Sequence, residues 1–437
     1  MRNEMEMKDL ILETARKDER IRGVYMNGSR TNTDVPRDIF QDYDVVYVVY
    51  VVRETASFIS EESWIDVFGE RLYMQLPEKM DRLLGKETDF ENCYGYLIQL
   101  ADGNRIDLHL VTLEYGIKDI LQDRLCKILL DKDQALPAIP KATDADHWVK
   151  KPSEEEYLCC CNEFWWSLNS IGKGLWRSEV TYVMDTMNLC TRPELIRMLS
   201  WYVGIRTDFS SSIGKSGKYL YRYLPQEKCE RLLRTYPQGN LDVMWQAVFE
   251  MCDFFNEMAE KVGKGLGYSY GKEEAHNSRL FLDCTYELPG DAQEILMIRR
   301  MRDQDVEKVA QLWLETNIKV HEFIPEAYWR ENYENVRNQI AETEVYVYED
   351  NHGIQGFAGI DKGYIKGIFV REDMRRKGVG RALMYICKSK YFKMHLHVYC
   401  RNTGAVDFYM KEGFIISRKQ TDKSTNHSEY EMVWRKE

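Results

Sequence analysis

Near the start of the chain, Gly28-Ser29-Arg30 precedes Asp42-Tyr43-Asp44, which leads into the apolar run Val45-Val46-Tyr47-Val48-Val49. On a strand, residues two apart point to one face, so Asp42 and Asp44 share a side. Like charges held that close are costly unless a cation stands between them. A Gly-Ser turn offers backbone N–H groups and a hydroxyl to a phosphate. A third carboxylate, Asp107, lies in Arg105-Ile106-Asp107-Leu108-His109-Leu110-Val111 after the turn residues Asp102-Gly103-Asn104. There Ile106, Leu108 and Leu110 alternate with Asp107 and His109, the pattern of a half-buried strand. If that strand pairs beside the first, Asp42, Asp44 and Asp107 converge. Such a trio can hold divalent metals about 3.5–4 Å apart for an in-line phosphoryl displacement. The chemistry this predicts is Mg²⁺-dependent reaction of a nucleoside triphosphate.

The elements that must carry these groups come next. Glu154–Trp166, Val180–Leu189, Pro193–Tyr202 and Leu241–Met258 carry apolar residues at three- and four-residue spacing and read as helices. Trp165, Trp166, Trp176 and Trp201 read as core anchors, some open to lining a sugar pocket. Trp64–Glu70 and Lys79–Leu84 read as a loop or short helix between the catalytic strands. Leu288-Pro289-Gly290-Asp291 punctuates the chain, and a strand is expected from Ile295 and a helix over Asp303–Leu314.

A second constellation follows. The strand Tyr364-Ile365-Lys366-Gly367-Ile368-Phe369-Val370 runs into Arg375-Arg376-Lys377-Gly378-Val379-Gly380-Arg381-Ala382 and then a helix over Leu383–Lys390. Strand, basic glycine loop and helix make a phosphate cradle, because glycine lets the backbone approach and the helix start favours negative charge. Beyond it lie the strand Lys393–Tyr399, Asn402, the helix Ala405–Met410 containing Tyr409, and Gly413-Phe414.

The first constellation resembles the nucleotidyltransferase superfamily of DNA polymerase beta. Within it, the chain to about residue 285 looks like the aminoglycoside 6-adenylyltransferases. Further matches are Asp131-Lys132-Asp133, Asn162-Glu163-Phe164-Trp165-Trp166, Lys173-Gly174-Leu175-Trp176-Arg177 and Gly214-Lys215-Ser216-Gly217-Lys218-Tyr219. The resemblance implies transfer of AMP from ATP to an alcohol, with Mg²⁺ on Asp42, Asp44 and Asp107. It also implies phosphate contacts from Gly28, Ser29, Arg30, Lys173 and Lys215. Asp107 stays open between base and ligand, and Glu179 is a second candidate base. The alcohol implied is a hydroxyl of an aminoglycoside, the 6-position of streptomycin's streptidine ring. The second constellation resembles the GNAT superfamily of N-acetyltransferases, over nearly all of residues 296–437. It implies acetyl-CoA held by Ile368, Val370, Arg375, Arg376, Gly378, Val379, Gly380, Arg381 and Asn402, with Tyr409 giving a proton to the departing thiolate. Glu344 and Asp361 are candidates for its base, and none is assigned.

The expected fold is α+β: a polymerase-beta-like mixed sheet over 1–150, a helical substrate-binding part over 151–290, and a mixed α/β acetyltransferase over 291–437. A chain of 437 residues with 44% hydrophobic content is long enough for several cores. The net charge of −11 speaks against nucleic acid as main partner and suits a polycationic substrate. No apolar run is long enough for a bilayer and no signal peptide is legible, so the cytoplasm and no membrane partner are expected. Eleven cysteines lack metal spacing and read as reduced, with Cys159-Cys160-Cys161 in a helix core. His395 and His397 alternate on a strand, a weak metal pattern. The acetyl acceptor and the oligomeric state stay open. So do two alternatives: a non-antibiotic metabolite or protein as substrate, or a nucleotide- or CoA-binding regulator without catalysis.

Overall fold

A computed structural model describes residues 1–50, 52–288, 290, 292, 297–350 and 352–435. Pro289 and Asp291, in the expected boundary, and Ile295 and Leu296, in the expected strand, lie outside these residues. The chain gathers into two compact units. One is Met1–Lys151 with Arg206–Tyr219, and the other is Pro152–Ile205 with Leu220–Glu437.

The first unit is built on a six-stranded mixed sheet. Its strands are β1 (Gly23–Met26), β2 (Tyr43–Val49), β3 (Arg71–Gln75), β4 (Cys93–Leu100), β5 (Arg105–Thr112) and β6 (Lys127–Asp131), in the order β3-β4-β5-β2-β1-β6. β2 is central, and its Val and Tyr side chains are buried on both faces, as its near-continuous apolar run requires. β4 and β5 form a hairpin at Asp102-Gly103-Asn104, where Gly103 takes φ +89° and the Asp102 carboxylate accepts the Asn104 N–H at 2.9 Å. Helix α1 (Glu4–Lys17) opens with a capping box between Asn3 and Glu6 and buries Met7, Ile11 and Ala15 on one face. Helices α2 (Val52–Ser60), α3 (Pro77–Leu83) and α4 (Leu113–Gln122) complete this unit, with a 3₁₀ turn at Glu62–Phe68.

The second unit begins with helices α5 (Glu154–Trp176), α6 (Val180–Thr186), α7 (Arg192–Arg206), α8 (Leu220–Tyr223), α9 (Gln226–Arg234), α10 (Leu241–Leu266) and α11 (Lys272–Tyr286). The expected helix at Val180–Leu189 stops at Thr186, and a π-helical stretch at Met187–Thr191 carries the chain into α7. Trp165 and Trp201 are core residues, whereas Trp176 is half-buried and Trp166 is 74% exposed. Trp166 is therefore no core anchor: it follows Trp165 directly, and neighbours on a helix lie about 100° apart. By the same rule Cys160 and Cys161 are buried and Cys159 is exposed; all eleven thiols are free.

The rest of the second unit is a seven-stranded sheet. Strands β7 (Ile298–Arg300), β8 (Glu344–Asp350), β9 (Gly353–Asp361), β10 (Tyr364–Val370), β11 (Lys393–Tyr399), β12 (Ile415–Thr421) and β13 (Ser428–Arg435) lie in the order β12-β13-β11-β10-β9-β8-β7. Helices α12 (Val306–Val320), α13 (Glu326–Glu331) and α14 (Tyr333–Glu342) precede it in sequence, and α15 (Val379–Lys390) and α16 (Thr403–Lys411) interleave its strands. The sheet is antiparallel except at its centre. There β10 and β11 run parallel and pair at one position only, Tyr364 with His395. Beyond that pair the two strands have no shared ladder, so the sheet is split along its middle.

Candidate active sites

In the first unit β2 and β5 pair in parallel with Asp44 opposite Asp107. In-register parallel partners share a face, so the expected meeting of the strands is present. Asp42 lies just before β2. Burial first, then Asp107 and Asp42, pushes the Asp44 carboxyl up to about 6. Burial also raises Asp42, against the pull of Arg105. Two carboxyls that resist ionisation beside a third are a set that favours a cation.

The side chains are not gathered as a ready metal trio, however. Among the described residues, no three His, Cys, Asp or Glu side chains could together hold a metal ion. Arg105 instead engages two of the three carboxylates. Its Nε and Nη2 donate to the two Asp107 oxygens at 2.8 Å each, and its Nη1 lies 3.7 Å from Asp42 Oδ2. Arg105 was missed in the sequence because a residue at a strand start reads as solvated. Its place two residues before Asp107, on the same face, was the available signal.

Gly28 takes φ +75°, and a Cβ there would stand 2.1 Å from Asp44 Oδ2. Only glycine lets this turn lie against the carboxylate. The turn is closed by Thr31, whose N–H and hydroxyl both donate to the Gly28 carbonyl, at 3.1 and 2.8 Å. Arg30 differs from its expected role. It is buried, stacks 3.7 Å over Tyr43, and donates to the carbonyls of Asp42 and Gln41 at 3.0 and 2.6 Å. It fixes the backbone entering β2 rather than presenting itself to a phosphate. Lys215 sits in a short 3₁₀ turn of the Arg206–Tyr219 segment of this unit and is exposed. Lys173 and Glu179 belong to the second unit; both are exposed, at the end of α5 and the start of α6.

In the second unit the basic glycine loop joins β10 to α15. Gly378 takes φ +90° at the α15 N-cap, and Arg376 is at φ +63°. Arg375 Nε donates to the Val370 carbonyl at 3.2 Å. Val379 is buried, and Gly380 lies within 3.4 Å of the Phe408 ring by its would-be Cβ. Arg381 is 2.8 Å from Glu287 of the segment after α11. A cleft of about 520 Å³ opens beside the loop, lined by Leu312 and Thr316, by the basic Lys319, Arg371 and Arg375, and by the acidic Glu315, Glu372 and Asp373. Ile368 and Val370 face β9 in the ladder, paired with Ala358 and Gly356.

Tyr409 is buried on α16, and its hydroxyl lies at hydrogen-bonding reach of the Ile368 backbone amide, at the split beside β10. Burial pushes its phenol well above the ordinary value. Asn402 is used differently from expectation. Its Oδ1 caps α16 by accepting the Ala405 N–H at 3.2 Å, and its Nδ2 meets His321 Nε2 at 3.1 Å. His321, pushed down to about 4 by burial, stacks on Trp329. Of the two candidate bases, Glu344 is held by Lys390 at 2.8 Å and Tyr346 at 2.6 Å, and Asp361 ends β9 at the surface. Glu344 thus serves the packing of α15 on β8.

A mixed sheet with paired carboxylates under a glycine turn, followed by a split sheet with a basic loop at a helix start, defines a chain of two transferase centres. One is a nucleotidyltransferase and the other an N-acetyltransferase. A family described as streptomycin adenylyltransferase matches residues 1–284, and the acetyltransferase (GNAT) domain matches 303–434. The chain is 41% identical to an aminoglycoside 6-adenylyltransferase of Campylobacter jejuni, over 62% of this chain and 91% of that one. It is 31% identical to the peptidyl-lysine N-acetyltransferase YiaC of Escherichia coli, over 32% of this chain and 96% of that one. A crystal structure of an aminoglycoside 6-adenylyltransferase from Bacillus subtilis covers 65% of this chain and 99% of its own at 32% identity and a TM-score of 0.33. The chain belongs to the streptomycin adenylyltransferase family and carries a GNAT acetyltransferase domain after it. It is a bifunctional transferase, of families that use ATP and acetyl-CoA. No helix of the described residues is long and apolar enough to cross a membrane.

Proposed function

We propose that the first centre transfers AMP from ATP to a hydroxyl of an aminoglycoside, the 6-position of a streptomycin-type streptidine ring, and so inactivates the antibiotic. The observation that carries this reading is the Asp44–Asp107 register with Gly28 against the Asp44 carboxylate. Asp42, Asp44 and Asp107 fit Mg²⁺ once Arg105 releases Asp107, since burial and the neighbouring carboxylates disfavour the charged forms of Asp42 and Asp44 and a divalent ion would offset that. Bound there, Mg²⁺ would neutralise the triphosphate and orient its α-phosphate. The chain's own part is positioning: the Gly28-Ser29 turn supplies backbone N–H groups near the carboxylates, and Arg30 holds the strand entry still.

The second centre moves the acetyl group of acetyl-CoA to an amine. The Gly378–Gly380 backbone at the α15 start, with Arg375 and Arg376, suits the pyrophosphate. The net charge of −11 favours encounter with a cationic substrate, and eleven free thiols suit a reducing compartment such as the cytoplasm.

The test is direct. Purified full chain with ATP, Mg²⁺ and streptomycin should give an AMP adduct by mass spectrometry and release pyrophosphate. Absence of adduct on streptomycin and on a panel of other aminoglycosides would overturn the reading.

A further inference from the structure

Three groups are linked across the split in the second sheet. The Tyr364 hydroxyl is 3.2 Å from His397 Nδ1, and the Tyr364 ring lies between His395 and His397, 5.0 and 5.7 Å away by centroids. Tyr364 in turn is near enough to Tyr409 to help raise its phenol, after burial. His397 stands two residues beyond His395, the last position at which β11 pairs with β10. Its Nε2 is buried and finds no hydrogen-bond partner among the described residues. A buried imidazole nitrogen left unpaired is costly in a merely structural role. Nothing in the packing described above needs it.

The surroundings have a consistent chemistry. On the face of β11 that carries His395, His397 and Tyr399, the partner strand β13 brings Val433, Glu431 and Glu429 opposite them in register. Glu429 and Asp422 are close enough to raise the Tyr364 phenol, after burial. Tyr399 donates to Asp422 at 2.7 Å, and Phe323 stands edge-on to Tyr399 at 5.7 Å. Arg418 holds Glu431 at 2.6 Å and Gln420 donates to one Glu429 oxygen at 2.7 Å, which leaves Glu429 and Asp422 as the acidic groups among these rings for a cationic group with an apolar stem. The opposite face of the same strand, with Met394, Leu396 and Val398, is core.

From the split, the unpaired Nε2 and the acidic, aromatic rim, we infer that His397 is the base of the acetyl transfer and that the acceptor is an alkyl ammonium seated between Tyr364, Tyr399 and Glu429. This rests on the second centre being an acetyltransferase that acts on an amine. In the tautomer in which Nδ1–H donates to the Tyr364 oxygen at 3.2 Å, Nε2 carries the lone pair and is the proton acceptor. His397 Nε2 removes one proton from the ammonium and passes it to water. The freed nitrogen lone pair forms the N–C bond at the thioester carbonyl. Collapse breaks the C–S bond, and the departing sulfur takes the phenolic proton of Tyr409. The second nitrogen proton, shed as the amide forms, restores the phenol. The sum is an amide, a free thiol and one proton.

The full chain is given acetyl-CoA with two probes, a lysine-containing peptide and streptomycin, and thiol release is followed alongside acetyl-CoA affinity by calorimetry. H397Q should lower kcat on the accepted probe by at least ~100-fold with acetyl-CoA affinity within twofold of wild type. In H397A, added imidazole should restore part of the rate. E429Q should raise the KM of the amine more than it lowers kcat. An H397Q chain that binds acetyl-CoA normally and keeps a third or more of the rate would overturn the assignment. A wild-type chain that binds acetyl-CoA yet acetylates neither probe would instead sink the reading of the second centre, and this assignment with it.

Discussion

Single side chains decide whether the first centre can assemble. Gly28 is the sharpest case, since any Cβ there would meet the Asp44 carboxylate at 2.1 Å. G28A must push either the turn or Asp44 aside. A misplacement of that size costs on the order of 100-fold in rate, so AMP transfer should fall by that much or more while acetyl transfer is unchanged. Asp44 also writes itself into the pH dependence of stability. Its ordinary value is 3.8 and its folded value about 6, so the folded chain holds a proton that the unfolded chain has lost between them. Stability from this group is therefore complete below about 4 and is lost as pH rises through about 6. Thermal unfolding midpoints recorded across that window should fall with rising pH more steeply in wild type than in D44N.

At the scale of elements, α16 depends on one side chain for its start. Asn402 caps it and ties it to His321, which is stacked on Trp329. N402A should cost about 1 kcal/mol in urea unfolding, with N402D recovering most of the loss as an alternative cap. Elements with strong periodicity were the legible part of the sequence. The strands at Tyr364–Val370 and Lys393–Tyr399 lie where alternation and β-branched residues place them, and the Asp44–Asp107 register follows from two apolar strands that must share a core. What the sequence concealed was commitment. Arg30, Arg105 and Asn402 carry polar groups free to serve a ligand, and only folding reveals that backbone carbonyls, carboxylates or a helix end have claimed them. The pairing that occupies the base candidate Glu344 was hidden by the same cause, since Lys390 lies far along the chain from it. His397 was visible only as half of a weak metal pattern, because an unpaired nitrogen is a property of packing.

At the scale of the whole chain, two chemistries should separate by mutation. D42N is expected to abolish AMP transfer in a radiolabelled-ATP assay and leave acetyl transfer at the wild-type rate. Stability should be less divisible within the second unit. Asp283 of α11, 3% exposed, accepts from Arg279 at 2.8 Å and from the Tyr385 hydroxyl of α15 at 3.0 Å. Y385F should destabilise this unit by about 1 kcal/mol, with hydrogen exchange quickening together in α11 and α15.

The path of the backbone bears on inheritance. Because Arg206–Tyr219 returns to the first unit after α5 to α7 have been laid down in the second, the polypeptide passes between them three times. A chain broken anywhere from residue 152 to 219 parts Arg206–Tyr219, in whole or in part, from the rest of the first unit. A junction past Glu287 interrupts neither of its stretches, but it parts α11 from the α15 groups that meet Asp283 and Glu287, so an acetyltransferase joined there becomes part of what the upstream helices lean on.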